Sequence, residues 1–125
     1  MIAVDTSSLV AFFQDLPGQD VNAVEAAFDQ KIAVFSPIVL SEMLSDHKLS
    51  PVVIGLIKSI PTLPLKNGFW ERAGLLRSQI LKRGHKARLA DTLIAQNCID
   101  YRVSLITRDA DFRHFAKYGD LRLWS

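Results

Sequence analysis

The sequence has little of what builds disulfide-stapled, zinc-binding or membrane-spanning proteins. It holds one cysteine, Cys98, so no internal disulfide forms and the fold does not depend on oxidation. Its three histidines, His47, His85 and His114, sit on separate segments without the paired spacing of a zinc site. Apolar runs are short, Ile38-Val39-Leu40 among them, far below the roughly 20 residues that span a bilayer. Met1-Ile2-Ala3-Val4 leads straight into Asp5, with neither the basic region nor the apolar stretch of an export signal. No repeat, linker or low-complexity tract breaks the chain, and a net charge of +2 by itself names no partner. These absences point to a cytoplasmic protein that does not insert in membranes.

What remains is an ordinary globular composition, 49% hydrophobic and 22% charged over 125 residues. That length suits a single domain, 1–125, able to bury one core unaided. The pattern alternates strand and helix. Met1–Val4 reads as a strand, followed by the capping cluster Asp5-Thr6-Ser7-Ser8 and a short buried helix over Leu9–Phe13. Gln19–Gln30 has apolar residues at helical spacing, and Ile32–Phe35 reads as a second strand. Helices follow Pro37 and Ser50-Pro51, the latter with serine as cap and proline in the first turn. Pro61–Leu65 reads as an extended edge segment because of its prolines. Phe69–Arg83, closed by Gly84, and Arg88–Tyr101 read as helices. Val103–Thr107 is the clearest strand, before a short helix over Ala110–Tyr118 and a last strand, Leu121–Leu123. Such alternation predicts an α/β fold, a three-layer α/β/α sandwich around a mostly parallel sheet. Its ligand crevice then lies at the carboxyl ends of the strands.

Two acids fall at such ends. Asp5 directly follows the first strand and reads equally as a helix cap or a ligand; Thr6, Ser7 and Ser8 could cap the helix and leave Asp5 free. Asp109 and Asp111 follow the Val103–Thr107 strand, where acids also serve as turn formers. Glu42 is embedded in the apolar Val39–Leu44 helix, either on a solvated stripe shared with Asp46 or as a partly buried charge that needs a cation. Asp91 opens an apolar helix, whose N-terminus favours an acid on its own account. Asp100, late in the same helix, reads as solvated.

Taken together, Val4-Asp5-Thr6-Ser7, Ser41-Glu42-Met43-Leu44, Ala90-Asp91-Thr92-Leu93-Ile94-Ala95 and Leu105-Ile106-Thr107-Arg108-Asp109-Ala110-Asp111-Phe112 run in order along essentially the whole chain. In this the sequence resembles the PIN-domain family, and within it the VapC-type toxins of toxin–antitoxin pairs. The resemblance implies a metal-dependent endoribonuclease with an acid at each of four positions, Asp5, Glu42, Asp91 and Asp109. Asp111 competes with Asp109 for the last of them and otherwise supports it. Thr6 and Thr107 match hydroxyls that orient the carboxylates. The resemblance further implies an RNA substrate, a homodimer and a small antitoxin seated at the active site, for which apolar residues on Val52–Ile60 and Phe69–Ile80 are candidate contacts.

Hard carboxylate oxygens with no His/Cys cluster favour Mg²⁺ or Mn²⁺. Asp5 and Asp91 are assigned to the principal ion, with Glu42 and Asp109 completing the site, and no covalent nucleophile is needed. If these four acids form one site, nine acids remain against fifteen bases, and the rest of the surface carries about +6. Lys82, Arg83, Lys86 and Arg88, just ahead of Asp91, read as phosphate contacts or as a solvated loop, and Arg88 as a partner for a carboxylate. His85 and His114 read as surface residues within reach of RNA, Phe69 and Trp70 as packing residues. Two other phosphoryl-transfer folds fit poorly. A haloacid dehalogenase phosphatase wants an acid at position 7, which is serine, and a response-regulator receiver needs an acidic pair and a late lysine. A PIN nuclease of RNA processing and a catalytically silent RNA- or protein-binding PIN module remain alternatives.

Overall fold

The apolar segments Ile2–Val4, Ala33–Val34, Ser104–Ile106 and Arg122–Leu123 form strands β1 to β4 of one sheet. The computed structural model describes residues 1–125. Seven helices surround the sheet: α1 (Thr6–Phe13), α2 (Gln19–Asp29), α3 (Pro37–Leu44), α4 (Pro51–Ser59), α5 (Phe69–Lys82), α6 (Leu89–Tyr101) and α7 (Arg113–Gly119). A 3₁₀ turn over Ala110–Phe112 precedes α7.

Strand order is β2-β1-β3-β4, and every pair is parallel. From β1 the chain moves one way to β2, then the opposite way to β3 and β4. Right-handed crossovers therefore place the early and late helices on opposite faces. α2 packs on α1 and touches β2 and β3; α5, α6 and α7 pack together, with α6 on β3 and α7 beside β4. α3 touches both α1 and α6. This is the expected α/β/α sandwich. Its order reverses between β1 and β3, whose carboxyl ends flank the crevice. No helix is long and apolar enough to cross a membrane.

A core cluster of 24 buried residues joins the layers, with Phe35, Phe112, Phe115, Ile94, Leu105 and Ile106 fully enclosed. Each such large side chain contributes about 1.5–3 kcal/mol through burial. Local signals act as read. Ser50 Oγ accepts from Val53 N (3.2 Å) with Pro51 in the first turn of α4, and Gly84 (φ 79°) follows the end of α5. The Pro61–Leu65 edge shrinks to one bridge, Phe35 to Thr62, because proline offers no N–H to extend a ladder.

Two expectations are corrected. Asp100 is not solvated: Arg72 Nη2 lies 2.6 Å from Oδ2 and Gln96 Nε2 donates to Oδ1, leaving its side chain 7% exposed. Burial opposes its charge, but the hydrogen bonds from Arg72 and Gln96 win and hold its pKa below the usual carboxylate range. Phe69 is buried as expected, whereas Trp70 is 62% exposed.

Candidate active site

Asp5 leaves β1 where its backbone N–H still pairs with Ile106 O of β3 (2.9 Å). It is only 4% exposed. Contrary to the expectation that Thr6, Ser7 and Ser8 would free it, Asp5 is itself the N-cap of α1, accepting from Ser7 N. The same oxygen, Oδ2, accepts from Ser7 Oγ (2.7 Å) and Thr107 Oγ1 (2.9 Å). A carboxylate has acceptor capacity for a cap and more, so capping and pointing into the crevice do not compete. Burial raises its pKa, and the hydrogen bonds from Ser7 and Thr107 only partly offset that.

Thr107 closes the other side. Its hydroxyl donates to Asp5 and accepts from Asp109 N (3.0 Å), tying the end of β3 to the end of β1. Asp109 then caps the 3₁₀ turn, with Oδ1 accepting from Asp111 N (2.9 Å). Glu42, exposed on α3, accepts from Thr6 Oγ1 (2.7 Å). Asp91 lies in the first turn of α6 and is half-buried. Its pKa is pushed up to about 6, first by burial and then by the charges of Asp5, Asp109 and Glu42, with Arg88 opposing. The charges of the other three acids, on three other segments, thus all bear on Asp91. Asp111 faces Lys86 at 3.9 Å.

None of the four carboxylates has an ion-pair partner. The salt bridges of the chain are Arg72–Asp100, Lys86–Asp111 and Arg108–Asp20, so Arg88 makes none. An acidic group without counter-charge suits a hard divalent cation. Yet no three His, Cys, Asp or Glu side chains stand at ligand spacing together. Asp5 is held by its hydroxyl donors, while the exposed Glu42 makes a single hydrogen bond, to Thr6.

The network has further support that sequence reading missed. Arg108 donates to both oxygens of Asp20 (2.8 and 2.9 Å) and to Pro17 O (3.1 Å). Asp20 also accepts from the buried Ser8 Oγ (2.8 Å), and Arg108 N donates to Ser7 Oγ (3.3 Å). The Arg108 hydrogen bond, with Ser8 and the charge of Arg108, holds the Asp20 pKa at about 2 against modest burial. This clamp fastens the Thr107–Asp109 turn to α1 and α2. Adjacent motif positions hid it, since only the fold brings residue 20 beside residue 108.

The surroundings are shallow. A groove of about 120 Å³ beside Glu42 is lined by Val10, Phe13, Met43 and Leu49, and Asp109 opens onto a separate depression with Thr107 and Trp124. The largest concavity, about 580 Å³, lies at the far end of the sheet, where Val103 and Arg122 enter β3 and β4. That is the wrong end for an open parallel sheet's ligand site. His85 and His114, expected on the surface, are half-buried and stacked together.

A search of the curated proteins finds no match. Among solved structures, the chain is similar to VapBC2 from Rickettsia felis bound to a DNA fragment from their promoter, with a TM-score of 0.75 and 21% identity over all of both chains. It is similar to FitAcB from Neisseria gonorrhoeae, with a TM-score of 0.72 and 18% identity over 100% of this chain and 97% of that one. It also resembles VapBC-5 of Mycobacterium tuberculosis, a toxin–antitoxin system, with a TM-score of 0.66 and 18% identity over 98% and 95%. The family model of the PIN domain matches residues 2–118, and the chain therefore belongs to the PIN-domain family.

Proposed function

We propose that this chain, as one domain over residues 1–125, is a Mg²⁺- or Mn²⁺-dependent endoribonuclease and the toxin of a toxin–antitoxin pair. The observation that carries the reading is the group of four carboxylates, Asp5, Glu42, Asp91 and Asp109, free of ion pairs at the carboxyl edge of the sheet. Asp5 and Asp91 would hold the principal ion, with Glu42 and Asp109 completing the site. When bound, the ion supplies Lewis acidity toward water and toward the phosphate oxygens. The protein's own part is positional. Ser7 and Thr107 fix Asp5, Thr6 orients Glu42, and the Thr107 hydroxyl holds the backbone of Asp109. Asp91, with its pKa near 6, is mostly ionised at neutral pH and would be available to an ion there.

The VapBC and FitAcB neighbours support a small protein antitoxin as partner, and exposed Val52 (82%), Trp70 (62%) and Leu75 (67%) on α4 and α5 offer apolar area for that contact or for a homodimer. The absence of a membrane-crossing helix agrees with a cytoplasmic toxin. The open spacing of the carboxylates favours a second reading, a PIN module that binds RNA or protein without cutting it.

Purified protein incubated with RNA separates the two. Cleavage with Mg²⁺ that stops in EDTA, and that falls at least 100-fold in Asp5→Asn and Asp91→Asn proteins, is expected. Cleavage that ignores EDTA or survives both substitutions would sink the mechanism, and none at all would favour the silent module. Growth arrest on expression, relieved by the product of a neighbouring reading frame, tests the toxin assignment.

A further inference from the structure

Beside Asp109, two segments distant in sequence meet to form a flat, positively charged face. The loop after α5 brings His85 against His114 of α7, with ring centroids 4.2 Å apart and planes within 13°. Tyr118 extends the stack, 5.6 Å from His85 at 23°. The Arg83 guanidinium lies 4.5 Å over the Tyr118 ring and the Lys117 ammonium 5.3 Å from its centre. Arg113 is the neighbour of His114 on α7, and Lys86 reaches only Asp111 at 3.9 Å.

Arg83, Lys86, Arg113 and Lys117 are all exposed, and Lys86 alone has a carboxylate partner. The frame beneath them is firm. Arg77 Nε donates to the carbonyl of buried Ala87 (2.8 Å), pinning the loop, and buried Phe115 pins α7. Lys86 faces Asp111 at 3.9 Å, and Asp111 N donates to Asp109 Oδ1, so the edge of the face reaches the turn that carries Asp109. Burial, His85 and Arg113 lower the pKa of His114, which favours the neutral ring and suits a second imidazole on its face. His114 is the terminal ring of the stack and is partly exposed.

Unpaired cations alone would suit any polyanion. A partly exposed ring at the end of a pinned stack adds a demand that only a flat, accessible π-face meets. Bases in a duplex are covered by their neighbours, whereas single-stranded bases are free to stack, with the backbone phosphates reaching the surrounding cations. An acidic peptide would satisfy the cations and leave the ring face unused. We propose that the His114–His85–Tyr118 stack, flanked by Arg83, Lys86, Arg113 and Lys117, is a binding platform for single-stranded RNA adjoining the cleaved phosphate. Its place relative to cleavage rests on the nuclease reading; its affinity for RNA does not.

The test measures binding by fluorescence anisotropy in EDTA, where metal-dependent cleavage is off. The probes are an unstructured RNA oligonucleotide, the same length of duplex RNA, and polyglutamate. The single strand is expected to bind at least tenfold tighter than either alternative. His114→Ala is expected to weaken it about tenfold and His114→Phe to restore it, since a ring face is what stacks. Arg113→Gln and Lys117→Gln are each expected to reduce the slope of log Kd against log salt by about 0.7, while Lys31→Gln at the far end of the sheet leaves it unchanged. Duplex or polyglutamate binding as tight as the single strand overturns the proposal. So does His114→Ala that lowers the melting temperature and leaves RNA affinity intact. Were Mg²⁺-dependent cleavage to persist in that last case, the platform would fall and the nuclease reading stand. Binding as expected without any cleavage would leave the platform standing and remove the nuclease.

Discussion

Asp91 shows how a single residue reports its surroundings. Its folded pKa of about 6 lies above the ordinary 3.8, so the folded state holds its proton more tightly than the unfolded chain does. For this group, stability is therefore greatest below pH 3.8, falls as pH rises toward 6, and stays reduced above that. The rise from 3.8 to about 6, discounted for the partial exposure of the side chain, corresponds to about 1–2 kcal/mol. In EDTA, Asp91→Asn is expected to be more stable than the parent at pH 8 by about that amount, with the difference shrinking by pH 5. Urea denaturation at the two pH values measures it; parallel profiles for parent and variant would show that the charge of Asp91 is not opposed in the fold. Asp109 and Asp111 are the complementary lesson. Two residues apart in sequence, they look alike, yet one faces the carboxylate group and the other faces Lys86.

At the scale of elements, the crevice is held open and in register by contacts between strand ends and helix starts. Thr107 joins β3 to β1 through Asp5, and the Arg108–Asp20 pair fastens the same turn to the start of α2. Gly18 is part of this clamp. A Cβ there would lie 2.8 Å from Arg108 Nη2 and press on Asp20 Oδ1, and its φ of 154° disfavours L side chains in any case. Gly18→Ala is thus expected to cost about 1–3 kcal/mol. Asp20→Asn, which keeps the acceptor for Ser8 and loses the ion pair, costs about 1–2 kcal/mol after allowance for exposure. The depressed pKa of Asp20 makes its contribution present above pH 3.8 and lost as pH falls through about 2. Denaturant melts of the two variants at pH 7 check both figures; unchanged midpoints would mean the clamp is incidental.

At the scale of the molecule, the proposed site sets four carboxylates without ion-pair partners where a divalent ion would offset their repulsion. A ligand that binds only the folded state at 100 times its Kd stabilises by about 2.7 kcal/mol. Mg²⁺ at about 100 times its Kd is therefore expected to raise the melting temperature by about 10 °C at pH 8 relative to a monovalent salt of equal ionic strength. The gain is expected to be smaller at pH 5, where protons compete, and to vanish in Asp91→Asn. Equal melting temperatures in the two salts would remove the ion from these carboxylates.

The alternation of apolar strands and amphipathic helices was readable along the whole chain, because burial imposes its period on each segment separately. So was the acidic character of Asp5, Glu42, Asp91 and Asp109, and the capping at Ser50-Pro51. Three features were not. Asp100 looked solvated because Arg72 stands 28 positions away. The dual role of Asp5 depends on Thr107, 102 positions on. The ring stack needs α7 folded against the loop after α5. Local sequence determined which residues carry charge and which face each element buries. The reversal of strand order between β1 and β3 decided which charges meet, since hydrogen bonds and Coulomb forces act across a few ångströms of space and take no account of distance along the chain.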